Sequence, residues 1–195
     1  AVSYEFRSKP NNFLGKKIFD YFLVFNGIIA PLAIGTAIAT FFTGSTFSVN
    51  AYNLSKWEHP FLGLEALLNY KNLSLGIALV FLSRTQGILY LMNAIEHNLM
   101  QKQLKRQLLL NTYIFLIFFL SFLGFLFTMP GFAIDPTEKT IFMQDYKYWH
   151  NLLEMPWVFI LFAIGVIAVL WGIIKNAFFS SDKGVWYTGI GTILT

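Results

Sequence analysis

The sequence predicts an all-α, polytopic transmembrane helix bundle with four complete spans and a truncated fifth, and three observations predict it. Residues 157–174 run for eighteen positions without a charge, and three other stretches are almost as apolar. Only 12% of the residues are charged, about half the share of a soluble domain. The mean hydropathy is +0.57, with 22 Phe. Too little polar surface remains to face water on all sides, so we expect lipid as the solvent.

The apolar stretches place the spans within a single transmembrane domain that covers residues 1–195. The expected spans are about 18–42, 73–93, 108–132 and 156–179, with a partial span at 185–195. Pro31 interrupts the first span, which neighbouring helices in a bilayer tolerate. The last stretch is too short to cross a membrane, which takes about 20 residues. We therefore expect this chain to be an interior piece of a longer polypeptide.

The basic residues predict the orientation of the spans. Nine Lys and Arg lie before the first span, in the 94–107 loop, and at the end of the fourth span or in the loop after it, whereas four lie in the other two loops. The positive-inside rule then puts residue 1 on the cytoplasmic side. These residues occupy short loops and not one helical face, so they do not indicate a nucleic-acid partner.

Several classes of site are excluded by the residue types present. The chain has no Cys, which removes thiolate metal sites and Cys nucleophiles. No Gly-x-x-x-x-Gly-Lys-Ser/Thr or Gly-x-Ser-x-Gly motif occurs, so neither a P-loop nor a hydrolase serine is indicated. The three His lie outside the middle of any span, and no His spacing suits a metal. We therefore predict no catalytic, haem-binding or metal-binding residue in this chain.

Arg84 is the first of three candidate intramembrane polar residues. A charge inside a span costs at least about 2.5–3.5 kcal/mol, so it needs a partner or a wet cavity. One interpretation is that Arg84 faces a neighbouring subunit, a quinone or a proton path. The other is that its side chain snorkels to the cytoplasmic interface. Gln86 and Thr85 beside it add hydrogen-bonding capacity, which favours the first interpretation slightly.

Asp20 is another candidate, at the cytoplasmic start of the first span. It could be a polar anchor or a proton-entry group. The simpler interpretation is a first-turn carboxylate that the helix dipole stabilises. Glu96 and His97, with Lys102, could form a small cytoplasmic network, although a solvated helix extension explains them as well.

A series of short motifs resembles subunit II of the cytochrome bd quinol oxidases. Tyr4–Lys9 (YEFRSK) resembles the family's Phe-Glu-Phe-Arg segment, and Asp20, Pro31 and Gly35 resemble its Asp…Pro…Gly span. The later matches are the GSTF turn at Gly44–Phe47, Leu68-Asn69 with Leu73 and Gly76, TQGILYL at Thr85–Leu91, and SSDKGVW before the last apolar run. The chain departs from the family pattern at Thr46, Tyr70, Lys71, Ala94, Ile95 and His97, which indicates a divergent branch.

The resemblance implies a function that the residues alone do not. Such oxidases oxidise quinol and reduce oxygen to water in the respiratory chain of the bacterial inner membrane. The resemblance places haems b and d in the partner, subunit I, and makes this chain chiefly a structural subunit that contacts that partner, membrane lipid and, in some members, a structural quinone. The Phe-rich third span could offer a surface to these partners, or its Phe side chains could simply face lipid.

A secondary transporter or permease is the alternative function. In that case Pro31 and the Gly-interrupted first and third spans would mark broken helices near a binding site. A non-catalytic membrane assembly factor is a third possibility. Both would be isolated without a haem-bearing partner.

Overall fold

The computed structural model describes residues 2–9, 12, 14–95, 98–135, 140–179 and 183–195. It is 76% helical, with seven α-helices, and confirms the all-α polytopic class. The helices are α1 (Val2–Phe6), α2 (Gly15–Thr43), α3 (Tyr70–Ala94), α4 (Asn98–Thr128), α5 (Lys147–Glu154), α6 (Pro156–Phe179) and α7 (Gly184–Leu194). The remaining elements are a 3-10 helix (Leu64–Leu68) and the strands β1 (Phe47–Val49), β2 (Ser55–Trp57), β3 (Gly131–Ile134) and β4 (Ile141–Gln144).

Four of the described helices are long and apolar enough to cross a membrane: α2, α3, α4 and α6. The most apolar is α6, whose best 18-residue window has a mean hydropathy of 2.7. Helix α2 is continuous through Pro31, and α4 is continuous through Gly124. The broken helices that a transporter would use at these positions are therefore not present.

Helix α4 differs from the expected span 108–132 at both ends. It begins at Asn98, because the polar residues that precede the apolar stretch are good helix formers. It ends at Thr128, because a residue before proline disfavours helical geometry and Pro130 follows Met129. The expectation that the span runs to residue 132 was wrong. Gly131 instead begins β3, which pairs antiparallel with β4.

The chain divides into two compact units, residues 1–80 and 81–195. In the first unit, α2 packs closely on the N-terminal part of α3. A Cβ atom added to Gly35 would lie 2.7 Å from Cα of Gly76, so these two backbones are in contact. The hydroxyl of Thr43 donates a hydrogen bond to Oδ1 of buried Asn72 at 2.7 Å. Asn72 in turn donates from Nδ2 to the carbonyl oxygen of Ala66 at 3.2 Å, which ties the 3-10 helix to the helix pair.

In the second unit, α6 and α7 meet along a seam of small residues. A Cβ added to Gly191 of α7 would lie 2.7 Å from the carbonyl oxygen of Gly165, and one added to Gly172 would lie 2.6 Å from the carbonyl oxygen of Gly184. Backbone-to-backbone contact of this kind is typical of helix pairs in membranes, where van der Waals packing replaces the hydrophobic effect.

Candidate functional site

Arg84 lies on the exposed face of α3, in the second unit. It lines an open groove of about 620 Å³ between α3 and the beginning of α4. The groove is formed by Arg84, Gly87, Ile88, Tyr90, Leu91, Leu104 and Gln107. The guanidinium carbon lies 5.8 Å from the centre of the Phe81 ring, a cation–π contact between neighbours on one helix.

The floor of this groove is open. Apart from its chain neighbours and the nearby backbone of α3, no atom of the described residues lies within 4 Å of the position that a Cβ on Gly87 would take. Gly87, Ile88 and Leu91 stand three, four and seven residues after Arg84, so they share its helical face. The groove therefore combines a guanidinium and the carboxamide of Gln107 with apolar walls.

Gln86, which the sequence analysis counted as hydrogen-bonding capacity beside Arg84, bonds to a different helix. Nε2 of Gln86 donates a hydrogen bond to Oγ1 of Thr192 on α7 at 2.7 Å. Thr192 donates in turn to the carbonyl oxygen of Thr188, four residues earlier on α7. Two residues along an α-helix turn about 200°, so positions 84 and 86 face nearly opposite directions. The structure therefore gives Gln86 a helix-to-helix bond, separate from the groove.

Thr85, the third residue of this polar run, is fully buried. Its Oγ1 has no hydrogen-bond partner within the described residues, and the same is true of Oδ1 of Asn111, Oγ1 of Thr112 and Oδ1 of Asn176. Asn111, Thr112 and Asn176 were not singled out by the sequence analysis as buried polar residues. Asn111 follows a run of leucines and Asn176 follows Lys175 near a helix end, so their burial had no clear signal in the sequence.

Asn176 belongs to the α6–α7 seam. Its Oδ1 occupies the space in which Gly184 would carry a Cβ. Thr188 donates a hydrogen bond from Oγ1 to the carbonyl oxygen of Gly184 at 2.9 Å. The sequence does carry a signal for this seam, since each helix has two glycines seven residues apart: Gly165 and Gly172 on α6, and Gly184 and Gly191 on α7. The seam was not among the sequence predictions.

Asp20 lies in the first unit and is paired with Arg7. Nε of Arg7 donates to Oδ1 at 2.6 Å and Nη2 donates to Oδ2 at 3.3 Å. Because α2 begins at Gly15, Asp20 is past the first turn, where the helix dipole acts most strongly. The first-turn interpretation of Asp20 was therefore wrong, and the residue forms an ion pair with Arg7; its role as a polar anchor stays a prediction. Glu96 and His97 lie outside the described residues.

The loop that contains the 3-10 helix holds a second ordered carboxylate. Glu65 accepts hydrogen bonds from the backbone N–H of Gly63 at 2.8 Å and from the hydroxyl of Thr46 at 3.2 Å. The pKa of Glu65 is lowered from 4.5, chiefly by its own backbone N–H and then by the bonds from Gly63 and Thr46, while burial opposes the shift. The carboxylate thus fixes the turn that leads into the 3-10 helix.

In the part of the chain that the structure describes, no group of three or more His, Cys, Asp or Glu could hold a metal ion.

No curated protein matches the sequence. The sequence model of the family described as cytochrome bd terminal oxidase subunit II matches residues 1–195, the whole chain. Together with the apolar helices and the motifs that pointed to the same family, this match shows that the chain belongs to the subunit II family of cytochrome bd terminal oxidases.

Proposed function

We propose that this chain is the structural subunit of an enzyme that oxidises quinol and reduces oxygen to water. Membership of the family supports its place in an oxidoreductase complex. The reaction, the bacterial cytoplasmic membrane and the cytoplasmic position of residue 1 belong to this proposal. Haems b and d would be held by the partner, subunit I, and this chain would contribute no catalytic side chain.

One observation carries the structural role: the spans leave most of their apolar surface uncovered. Only 17% of the most apolar window of α2 is buried inside the chain, and 22% of that of α6. Exposing apolar surface to water costs about 25 cal/mol per Å², so faces of this size must be covered by lipid or by another protein. A partner subunit and the surrounding lipid together would supply that cover.

The exposed side chains of α4 show which kind of surface this structural subunit offers to its surroundings. Its exposed stripe consists of Leu110, Tyr113, Ile117 and Leu120, spaced by three or four residues. By contrast, the Phe side chains at 115 and 122 are buried inside the chain. This exposed stripe is aliphatic with one Tyr, while the other four phenylalanines of α4, at 118, 119, 125 and 127, are partly exposed and remain available to a partner or to lipid. We propose that subunit I, lipid and quinone tails cover faces of this kind.

The proposal is tested in a bacterial strain whose only quinol oxidase contains this subunit. Deletion of its gene should reduce quinol-dependent oxygen uptake by membrane vesicles at least ten-fold, and the full-length gene should restore it. Oxygen uptake that survives the deletion would contradict the proposal. A solute accumulated by cells only when the gene is present, with oxygen uptake unchanged, would favour the transporter alternative.

A further inference from the structure

We propose that the groove around Arg84 is a docking surface for subunit I, which fills it with a short amphipathic segment that carries an Asp or Glu. The identity of this partner rests on the proposed function, whereas the place and the chemistry of the contact come from the groove itself. The groove has a guanidinium and a carboxamide at one end and apolar side chains over the rest of its length. Its occupant therefore needs one carboxylate followed by apolar residues.

The guanidinium end of the groove lies at the boundary of the hydrocarbon. The first turns of α4 are rich in polar residues up to Gln107, and the apolar stretch runs from Leu108 to Thr128. Those 21 residues span about 31 Å, close to the hydrocarbon thickness of about 30 Å. Because Gln107 lines the groove together with Arg84, this boundary falls beside the guanidinium.

The apolar wall of the groove lies on the water side of this boundary. Ile88 and Leu91 follow Arg84 towards the end of α3, and Leu104 precedes Gln107 near the beginning of α4. Both directions lead away from the hydrocarbon, because α3 ends and α4 begins on the same side of the membrane. Lipid tails therefore do not reach this wall, and burying it against a protein removes its apolar surface from water.

The charges near the groove indicate an acidic partner. Helices α3 and α4 contain no Asp or Glu, but they carry five cations, Lys71, Arg84, Lys102, Lys105 and Arg106. The cation–π contact with Phe81 leaves the charge of Arg84 in place. The same face of a second copy of this chain would bring further positive charge, whereas a carboxylate forms paired, charge-assisted hydrogen bonds with a guanidinium. A different subunit with an Asp or Glu therefore fits the groove better than a second copy does.

The acidic residues that the structure describes in the second unit are too far away to fill this role. They are Asp135, Asp145 and Glu154, all beyond the far end of α4. At a rise of 1.5 Å per residue, about 30 Å of helix separates that end from the groove. The carboxylate must therefore come from outside the described residues, and the assembled partner is its proposed source.

The length of the groove sets the length of the partner segment. Arg84 and Leu91 are two helical turns apart, about 10 Å along α3. Gly87 leaves the floor between them without a side chain, and Tyr90 and Leu91 are exposed, at 64% and 42%. A partner helix of two turns would place apolar residues three, four and seven positions from its carboxylate, which is how amphipathic helices bind apolar grooves.

The test is photo-crosslinking of the full-length subunit in its assembled complex, in the native membrane. Benzoylphenylalanine replaces Tyr90 in the groove or, in a matched control protein, Tyr113 of α4. The two tyrosines are similarly exposed, at 64% and 68%, but Tyr113 does not line the groove. We expect the probe at position 90 to crosslink to subunit I, at a site with an Asp or Glu within about two helical turns.

Variants of Arg84 test the ion pair within this contact. Arg84→Gln should lower the crosslink yield from position 90 at least three-fold, because the partner's carboxylate loses its counter-charge. Arg84→Lys, which keeps a cation, should stay within two-fold of the wild type. The yield from position 113 should be the same in both variants as in the wild type.

Several outcomes would overturn the docking surface. Position 90 might yield no crosslink to subunit I and react instead with lipid, with a second copy or with its own chain, or the crosslinked site might lack a nearby carboxylate. Equal yields in the wild type and Arg84→Gln, or equal losses at positions 90 and 113, would also overturn it. If Arg84→Gln does not assemble, the crosslinked site in the wild type decides, since that result needs no Arg84 variant.

Quinol-dependent oxygen uptake by the same membranes separates this proposal from the proposed function. Oxygen uptake without the expected crosslink would refute the docking surface alone. A complex that contains no subunit I and shows no oxygen uptake would refute the proposed function.

Discussion

The guanidinium of Arg7 contacts both carboxylate oxygens of Asp20, with Nε 2.6 Å from Oδ1 and Nη2 3.3 Å from Oδ2. Two parallel bonds of this kind fix the relative orientation of the two groups as well as adding attraction. The pair connects the segment that follows α1 to the second turn of α2. The hydrogen bond that Arg7 donates to Asp20 and the negative charge of that carboxylate both raise the pKa of Arg7, so the guanidinium stays charged at any pH the protein encounters.

Asp20→Asn should weaken this anchor only slightly in the assembled complex. Both side chains are about half exposed, at 41% and 47%, and exposed ion pairs contribute little. We expect the melting temperature to fall by less than about 4 °C, and by less still in 1 M salt, where the screening length is about 3 Å. Differential scanning calorimetry at low and high salt measures both effects. A large, salt-independent fall would mean that the pair is buried in the complex, against this account.

Glu65 makes the loop around the 3-10 helix sensitive to acid. Its pKa is lowered in the folded loop, so the carboxylate adds stability above its ordinary pKa of 4.5, and this stability is lost as the pH falls through the lower folded value. We expect hydrogen exchange in residues 60–69 to accelerate as the pH falls through that lowered pKa, after correction for intrinsic rates.

The Glu65→Gln variant serves as the comparison for this loop. A Gln side chain does not titrate, so exchange in the variant should be faster than in the wild type at neutral pH and should show no step as the pH falls. A step of equal size in both proteins would show that another group controls the loop.

The glycine seam between α6 and α7 should not accept a methyl group. A Cβ on Gly172 would clash with Oγ1 of Thr188 and lie 2.6 Å from the carbonyl oxygen of Gly184, so the helices must separate. We expect Gly172→Ala to destabilise the full-length protein by about 1–3 kcal/mol, the usual range for overpacking, as measured by thermal unfolding in detergent.

Gly189→Ala is the control for the seam, since no described atom beyond its chain neighbours and the nearby backbone of α7 lies within 4 Å of its added Cβ. It should be neutral or slightly stabilising, because Ala is favoured over Gly in a helix by up to about 1 kcal/mol. If both variants behave alike, the close approach of α6 and α7 is not a feature of the protein in its membrane.

The bond from Gln86 to Thr192 predicts a measurable coupling between α3 and α7. Hydrogen bonds between membrane helices average about 0.6 kcal/mol, with a maximum near 1.7 kcal/mol. A double-mutant cycle with Gln86→Leu and Thr192→Val should give a coupling energy in this range. The control cycle combines Gln86→Leu with Thr40→Val. The hydroxyl of Thr40 bonds to the carbonyl oxygen of Ala37 on its own helix, so this cycle should give no coupling energy. Zero coupling between positions 86 and 192 would contradict the hydrogen bond.

The hydrophobic pattern was sufficient to predict the four spanning helices, because a bilayer allows few structures besides apolar helices. It could not fix where α4 begins and ends. Helix α4 begins ten residues before its apolar stretch, so hydropathy does not mark the start of the helix. The helix ends at Thr128 because the residue before a proline disfavours helical geometry, which is a property of the backbone and not of hydropathy.

The residue types in the sequence were enough to find the candidate polar residues, but not to predict which side chains they contact. Arg84 and Gln86 are only two residues apart in the sequence, yet helical geometry turns them to different neighbours, a groove in one case and Thr192 in the other. The partner of Asp20 stands thirteen residues away in a segment whose path the hydrophobic pattern does not specify. Buried Asn176 was missed because its burial depends on the absence of a side chain at Gly184 of the neighbouring helix α7.

The central claim is that this subunit assembles with a separate haem-bearing subunit and holds no haem of its own. The most direct measurement is the reduced-minus-oxidised spectrum of the affinity-purified full-length chain, expressed with and without subunit I. The account predicts haem absorption, with quinol-dependent oxygen uptake, only when subunit I is co-expressed. Stoichiometric haem bound to the full-length chain expressed alone would contradict it.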